Sequence, residues 1–370
     1  MYSKSLTNIL SVVKSQLIYV GMPLNLSKIY NLGFILGVCL VFQIASGLIL
    51  AMIFMRGRDA RFFELFKILE YTGRGMILRY IHINVVSFFF IYLFTHVGRG
   101  LYYSSFLNAR VWNRGVTILL LVMGTAFVGY VLPNNQMSYW GASVITSLVR
   151  EVPYLGLDLV EVIWGRFRVC KFTLVRFFTL HFILPFVILV LVVLHIIFLH
   201  REGSRNPLGV IREEKVMFSE NQIISDFFIL ALFVFILFYI LVNKRDLFGD
   251  DQNFFLSNLI ETPSHIQPEW YFLFAYAILR SIPNKFGGVV GLLMSLLILY
   301  LLSIFNFRSL KSFIFKPINK ILFWVFVFNL ILLSWIGMCR VEHPFVLIGQ
   351  VFSVIYFLYF IVYFILLLVT

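Results

Sequence analysis

Four of the chain's seven histidines lie inside strongly apolar runs, where an ionisable side chain is costly and marks a functional position. His82 and His96 share one run, His181 and His195 share another, and each pair is fourteen residues apart. On an α-helix that interval advances about 1400°, some 40° short of four turns, while climbing roughly 21 Å. Both imidazoles of a run therefore face the same way, one towards each side of a membrane. A single run separates the two, so they lie parallel, bringing His82 level with His181 and His96 level with His195. Each level offers two imidazoles, which is what the two axial positions of a haem iron require. Zinc would want its ligands at one depth.

Gly33 and Gly47 in the first apolar run, and Gly115 and Gly129 in the third, repeat the same interval. Glycine lets a backbone approach a flat ligand where a Cβ would intrude, so these runs are expected to carry a notch at each depth. Small residues also serve plain helix contact; the period shared by four runs favours the ligand reading. Arg79 and Arg99 stand three residues outward from His82 and His96, placed to meet anionic haem propionates or, by snorkelling, lipid phosphate.

The elements that position these groups follow from composition. Of 370 residues 61% are hydrophobic and 13% charged, with a mean hydropathy of +0.94, which excludes a water-soluble globular surface. Runs long enough to cross a hydrocarbon layer of about 30 Å number eight, near 30–53, 77–104, 112–133, 173–200, 223–243, 286–305, 320–339 and 346–368. The predicted class is an all-α polytopic membrane protein. Residues 1–29 would form a surface helix, 30–205 a four-helix bundle enclosing two haems, and 206–370 a second membrane region of four spans. The surface helix rests on Leu6, Ile9, Leu10, Val13, Leu17 and Val20 at helical spacing.

The net charge of +13 sits in loops beside apolar runs, a pattern suited to anionic lipid and not to nucleic acid. Because the cations fall almost equally on the two sides, they do not fix orientation. Cys39, Cys170 and Cys339 are too scattered for a metal site or covalent haem attachment.

Beyond these spacings, the chain resembles mitochondrial and bacterial cytochrome b from Tyr30 to Gln350. GYVLP (129–133), QMSYWGASVIT (136–146), RFFTLHFILPF (176–186), PEWYFLFAYAILRSIPNK (268–285) and VEHPFVLIGQ (341–350) carry the likeness. It implies a subunit of ubiquinol–cytochrome c reductase that oxidises quinol at one face and reduces quinone at the other, coupled to proton translocation. The cofactors implied are a low-potential b haem on His82 and His181 and a high-potential one on His96 and His195, with Trp112 among the cofactor-binding residues. The partners implied are the Rieske iron–sulfur protein, a cytochrome c-type subunit, further complex III subunits, a second copy of the chain and membrane lipids. The mitochondrial inner membrane is the implied location, a bacterial plasma membrane the alternative. Plastid relatives divide this region between two polypeptides.

Two candidate quinone sites can be read from the residues. Pro268 and Glu269 open an apolar aromatic stretch where desolvation would raise a carboxyl pKa and suit it to accept a quinol proton; a carboxylate turned to water beside a proline bend is the other reading. The resemblance adds Tyr276 as a hydrogen-bonding group and Phe127, Tyr130, Gly141 and Ile145 as pocket wall. At the far face, His200 and Ser204 end the fourth run and Asp226 opens the fifth; an imidazole, a hydroxyl and a carboxylate can bind and protonate a quinone. His265 and His343 read as structural.

Departures from the family pattern occur at Asn134 and Asn135, where Trp-Gly is usual, and at Ser225, where many relatives carry lysine. A ferric reductase or NADPH oxidase also pairs histidines on two helices but needs a nucleotide-binding domain, for which no GxGxxG signature is found. A transporter relaying protons through histidines would bind no haem.

Overall fold

A computed structural model describes residues 11, 21–53, 74–204, 206–208, 215–304 and 315–369. The apolar residues at 6–20 on which the surface helix rests lie outside them; residues 21–31 hold a strand, Gly21–Pro23, and a short 3-10 turn, Lys28–Asn31. Eleven α-helices follow among the described residues: α1 (Leu32–Ile53), α2 (Arg74–Tyr102), α3 (Ala109–Val131), α4 (Gln136–Ser147), α5 (Gly156–Trp164), α6 (Lys171–Glu202), α7 (Phe218–Asn243), α8 (Leu273–Ser281), α9 (Lys285–Leu301), α10 (Pro317–Met338) and α11 (Phe345–Val369). The chain is an all-α polytopic membrane protein.

Seven of these helices are long and apolar enough to cross a membrane. The sixth expected span, 286–305, corrects to α9, a 17-residue apolar helix, about 26 Å long at 1.5 Å per residue and at the short end of what spans a bilayer. It ends where Leu302 to Ile304 turn. Helices dominate because a chain in hydrocarbon must satisfy its backbone internally. Their outward faces carry exposed apolar side chains such as Val190, Phe235 and Trp324, the surface expected against lipid.

Polar residues at the helix starts supply the first donors' partners. Asn108 accepts from Val111 N at 3.3 Å, Asn135 from Ser138 N at 2.8 Å and Asn284 from Gly287 N at 2.8 Å. Asn135 is one of the two unusual residues after α3. Its neighbour Asn134 adopts φ 58°, a left-handed conformation asparagine tolerates better than tryptophan would, and both are buried. The pair thus turns the chain sharply from α3 into α4.

α1 packs on α2 and α3 on α6, with α1 also touching α6. Beyond them, α8 packs among α9, α10 and α11. A small sheet that the sequence did not signal pairs β1 (Gly21–Pro23) antiparallel with β2 (Lys215–Met217), Met22 facing Val216. It ties the start of the bundle to the segment between α6 and α7.

Candidate functional site

Each of the four periodic glycines faces one of the four histidines. A Cβ on Gly47 would stand 3.2 Å from His82 Cε1, on Gly129 2.3 Å from His181 Cε1, on Gly115 3.3 Å from His195 Cε1, and on Gly33 3.8 Å from His96 Cε1. The notch therefore receives the imidazole edge, where the sequence led us to expect a flat ligand. Because α1 and α2 run antiparallel, Gly33 meets His96 and Gly47 meets His82; α3 and α6 repeat the arrangement.

At the first height the His82 and His181 ring centres lie 6.2 Å apart with planes at 80°. Two metal–imidazole bonds of about 2.0 Å and two ring radii would fill that gap. Hydrogen bonds fix which nitrogens face it. His181 Nδ1 is 2.9 Å from the Thr125 carbonyl, which only accepts, so Nδ1 carries the proton and Nε2 keeps its lone pair. His82 Nδ1 is 2.8 Å from Ser46 Oγ. The single Ser46 proton points to the Phe42 and Gln43 carbonyls at 2.6 and 3.3 Å, so Ser46 accepts from His82 and leaves that Nε2 bare too. This is the outer support that metal-bound histidines use, and the residues present fit a bis-imidazole iron.

At the second height the arrangement differs. Arg99 Nη2 lies 3.3 Å from His96 Nδ1, and a guanidinium can only donate. In this geometry His96 Nδ1 accepts, which puts its proton on Nε2. Ligation there requires Arg99 to release the ring. Arg99 also stacks 4.7 Å over Tyr30.

A cavity of about 320 Å³ opens at the first height, within the size range of small-molecule sites. Its wall includes Gly47, Arg79, His82, Gly129, His181 and Glu269. Glu269 precedes the 3-10 turn Trp270–Phe272. It is half-buried. Burial pushes the carboxyl up to about 7, a hydrogen bond from Tyr130 opposes this and the charge of Asp250 adds to it. Tyr130, at the end of α3, also lies 3.2 Å from Asn253 Oδ1. Tyr271 is buried and stacked on Phe90, ring centres 3.9 Å apart.

Of the other expected wall residues, Phe127 packs on Phe177 with centroids 6.1 Å apart, Gly141 has nothing within 4 Å of a built Cβ, and Ile145 and Pro268 are half-buried; none lines this cavity. Tyr276 lies under the Arg280 guanidinium at 4.9 Å, and Arg280 in turn donates to the Ile336, Gly337 and Cys339 carbonyls. Trp112 donates from Nε1 to the Leu299 carbonyl at 2.8 Å and lies so close to α2 that a Cβ on Gly100 would stand 2.8 Å from its ring.

At the opposite face Asp226 is buried and accepts from Asn31 Nδ2 at 2.5 Å, while Ser225 Oγ donates to Asn31 Oδ1 at 3.2 Å. Ser204 Oγ reaches Met22 Sδ at 3.6 Å on β1, and His200 is half-buried in the last turn of α6. Sequence reasoning missed Ser46, Asn31, Asp250 and Asn253. Ser46 carried a faint signal as a hydroxyl beside Gly47; the others needed contacts across the fold.

Residues 17–203 match the family described as cytochrome b/b6/petB, and residues 256–357 the family described as cytochrome b (C-terminal)/b6/petD. A chain of a solved hyperthermophilic respiratory Complex III is 27% identical and superposes with a TM-score of 0.90, covering 97% of this chain and 96% of that one. With its histidine levels, its cavity and these matches taken together, the chain belongs to the cytochrome b family.

Proposed function

We propose that the chain is the quinol-oxidising cytochrome b of a bc complex, a subunit of a quinol–cytochrome c oxidoreductase in a respiratory membrane, mitochondrial or bacterial. The observation that carries this is the cavity lined both by a half-buried carboxyl, Glu269, and by the His82 and His181 pair.

In this reading His82 with His181 and His96 with His195 hold two b-type haems, with Arg79 and Arg99 serving their propionates. Bound there, the haems supply one-electron carriers at two heights. Ubiquinol enters the cavity near Glu269, whose ionised carboxylate takes a hydroxyl proton; a group poised near 7 accepts and releases that proton with little penalty at neutral pH. Tyr130 donates to Glu269 when that group is ionised and turns to Asn253 when it is protonated, so the wall keeps its hydrogen bonds in both states. The apolar surroundings, Phe90 and Tyr271 among them, keep bulk water from the reacting hydroxyl. At the other face Asp226, His200 and Ser204 serve quinone reduction, with Asn31 holding the Asp226 carboxyl in place. A Rieske protein, a cytochrome c-type subunit and a second copy of the chain are the proposed partners, and the haem bundle at 30–205 and the region 206–370 its working halves.

Glu269→Gln in the assembled complex tests the reading. Quinol oxidation should slow about a hundredfold, while pyridine haemochrome still reports both haems. The parent rate should rise with pH through about 7, since Glu269 accepts only when ionised, and the variant should lose that limb. Parent-like turnover in Glu269→Gln would refute the role.

A further inference from the structure

A proton received by Glu269 inside the cavity has to reach water, and the cavity wall offers a route. Asp250 lines the same cavity as Glu269 and, like it, is half-buried, in the loop between α7 and the 3-10 turn Asp251–Phe254. Its side chain is held in place from two sides. Oδ1 accepts from Gln252 N at 2.8 Å, and Oδ2 faces Gln267 Nε2 at 3.5 Å. Gln267 is two residues from Glu269 in sequence, so the two carboxylates are tied to one segment. Asn253, on the turn that Asp250 caps, accepts the Tyr130 hydroxyl.

The other ionisable groups of this wall are less suited. Asp246 is paired with Arg245 at 3.5 Å. Burial holds the Tyr271 phenol well above its ordinary value, with the Glu269 charge adding to this, so it keeps its own proton. Arg79 and Arg245 are guanidiniums and only donate, Tyr130 spends its hydroxyl proton on Asn253, and His82 and His181 are committed through their Nδ1 bonds.

We propose that Asp250 is the carboxylate that takes the proton from Glu269 across the cavity and releases it to water. The inference rests on the reading of Glu269 as the quinol's proton acceptor. In the step the Glu269 O–H bond breaks and an Asp250 O–H bond forms, so one negative charge moves from Asp250 to Glu269. Asp250 then loses the proton to solvent at its exposed side and the charge is restored.

Asp250→Asn in the assembled complex is the test, because asparagine keeps the acceptor that caps Gln252 N. Two changes are expected together. The plateau rate of quinol oxidation falls about fivefold for want of an onward acceptor. The rising limb near pH 7 moves down by about half a unit, because the neighbouring negative charge that favours protonated Glu269 is gone. The carboxyl C=O signal of Glu269 in redox-induced infrared difference spectra moves with it, a readout independent of turnover. A parent-like rate and pH profile overturns the proposal, and so does a rate loss with an unmoved limb, which would mark Asp250 as a loop cap only. If Glu269→Gln slows turnover while Asp250→Asn does not, the relay fails and the Glu269 reading survives. Parent-like turnover in Glu269→Gln removes both.

Discussion

The two heights of the bundle use one sequence pattern and differ in what surrounds it. At the His82–His181 height both Nδ1 atoms donate to protein acceptors, Gly129 leaves no room for a Cβ beside one ring, and a cavity opens beside the pair. At the His96–His195 height Gly33 leaves an ordinary contact distance, and Arg99 donates to the nitrogen that should carry a proton if the far side is to bind metal. A periodic spacing therefore specifies where imidazoles stand, while their proton positions are set by neighbours from other parts of the chain. In the proposed reading the first height is arranged for a haem iron by the protein alone, and the second becomes so only when something else engages Arg99, an anionic propionate being the group suited to do it.

The sharpest way to break this contrast is a methyl group at each end. In Gly129→Ala the new Cβ would lie 2.3 Å from His181 Cε1 and 2.9 Å from its Nε2, so the ring must turn and its lone pair leaves the gap. Overpacking of this kind costs about 1–3 kcal/mol, and here the cost falls on a ligand. The expected result is loss of haem at the first height, with pyridine haemochrome falling to about half. Gly33→Ala, whose Cβ would sit 3.8 Å from His96 Cε1, should keep both. Equal losses in the two variants would show that the heights are alike in tightness.

Legibility followed the same division. His82, His96, His181 and His195 could be placed from sequence because a fourteen-residue interval fixes face and height on any helix. Glu269 was legible as a carboxylate among aromatics. Ser46 and Thr125 were not, because they meet their histidines only once α1 packs on α2 and α3 on α6, 36 and 56 residues away in sequence. Asn31 reaches Asp226 across 195 residues, and β1 finds β2 at a similar distance, contacts that no local pattern encodes. The sixth span was overextended for a plainer reason: apolar residues continue past Leu301, but the helix does not.

A smaller effect sharpens the comparison at its hydrogen bonds. Ser46→Ala removes the acceptor for His82 Nδ1 and leaves a buried N–H unpaired, a cost of about 1–3 kcal/mol. Outer-shell losses of this sort weaken metal binding about 10–100-fold. Haem retention on dilution in detergent should fall about tenfold at the first height only, with Ser46→Thr close to the parent. Loss at both heights would mean that Ser46 holds the bundle and not the tautomer.

The smallest change concerns the second height. Resemblance to the family placed Trp112 among cofactor-binding residues, yet its one donor is spent on the Leu299 carbonyl at 2.8 Å, which joins α3 to α9, and its ring closes over Gly100 on α2. Trp112→Phe keeps an aromatic ring and deletes that bond, worth about 1 kcal/mol. The detergent-solubilised complex should melt a few degrees lower, about 2–4 °C by the usual scaling, with the spectrum and midpoint potential of the His96–His195 haem unmoved. An indole that also touched a cofactor would behave differently, because removing its N–H would alter the field at that haem and shift its potential without a matching loss of thermal stability. Which of the two quantities moves separates a strut between helices from a member of the second haem pocket, and so decides whether that height is built from side chains aimed at the cofactor or from helices held apart around it.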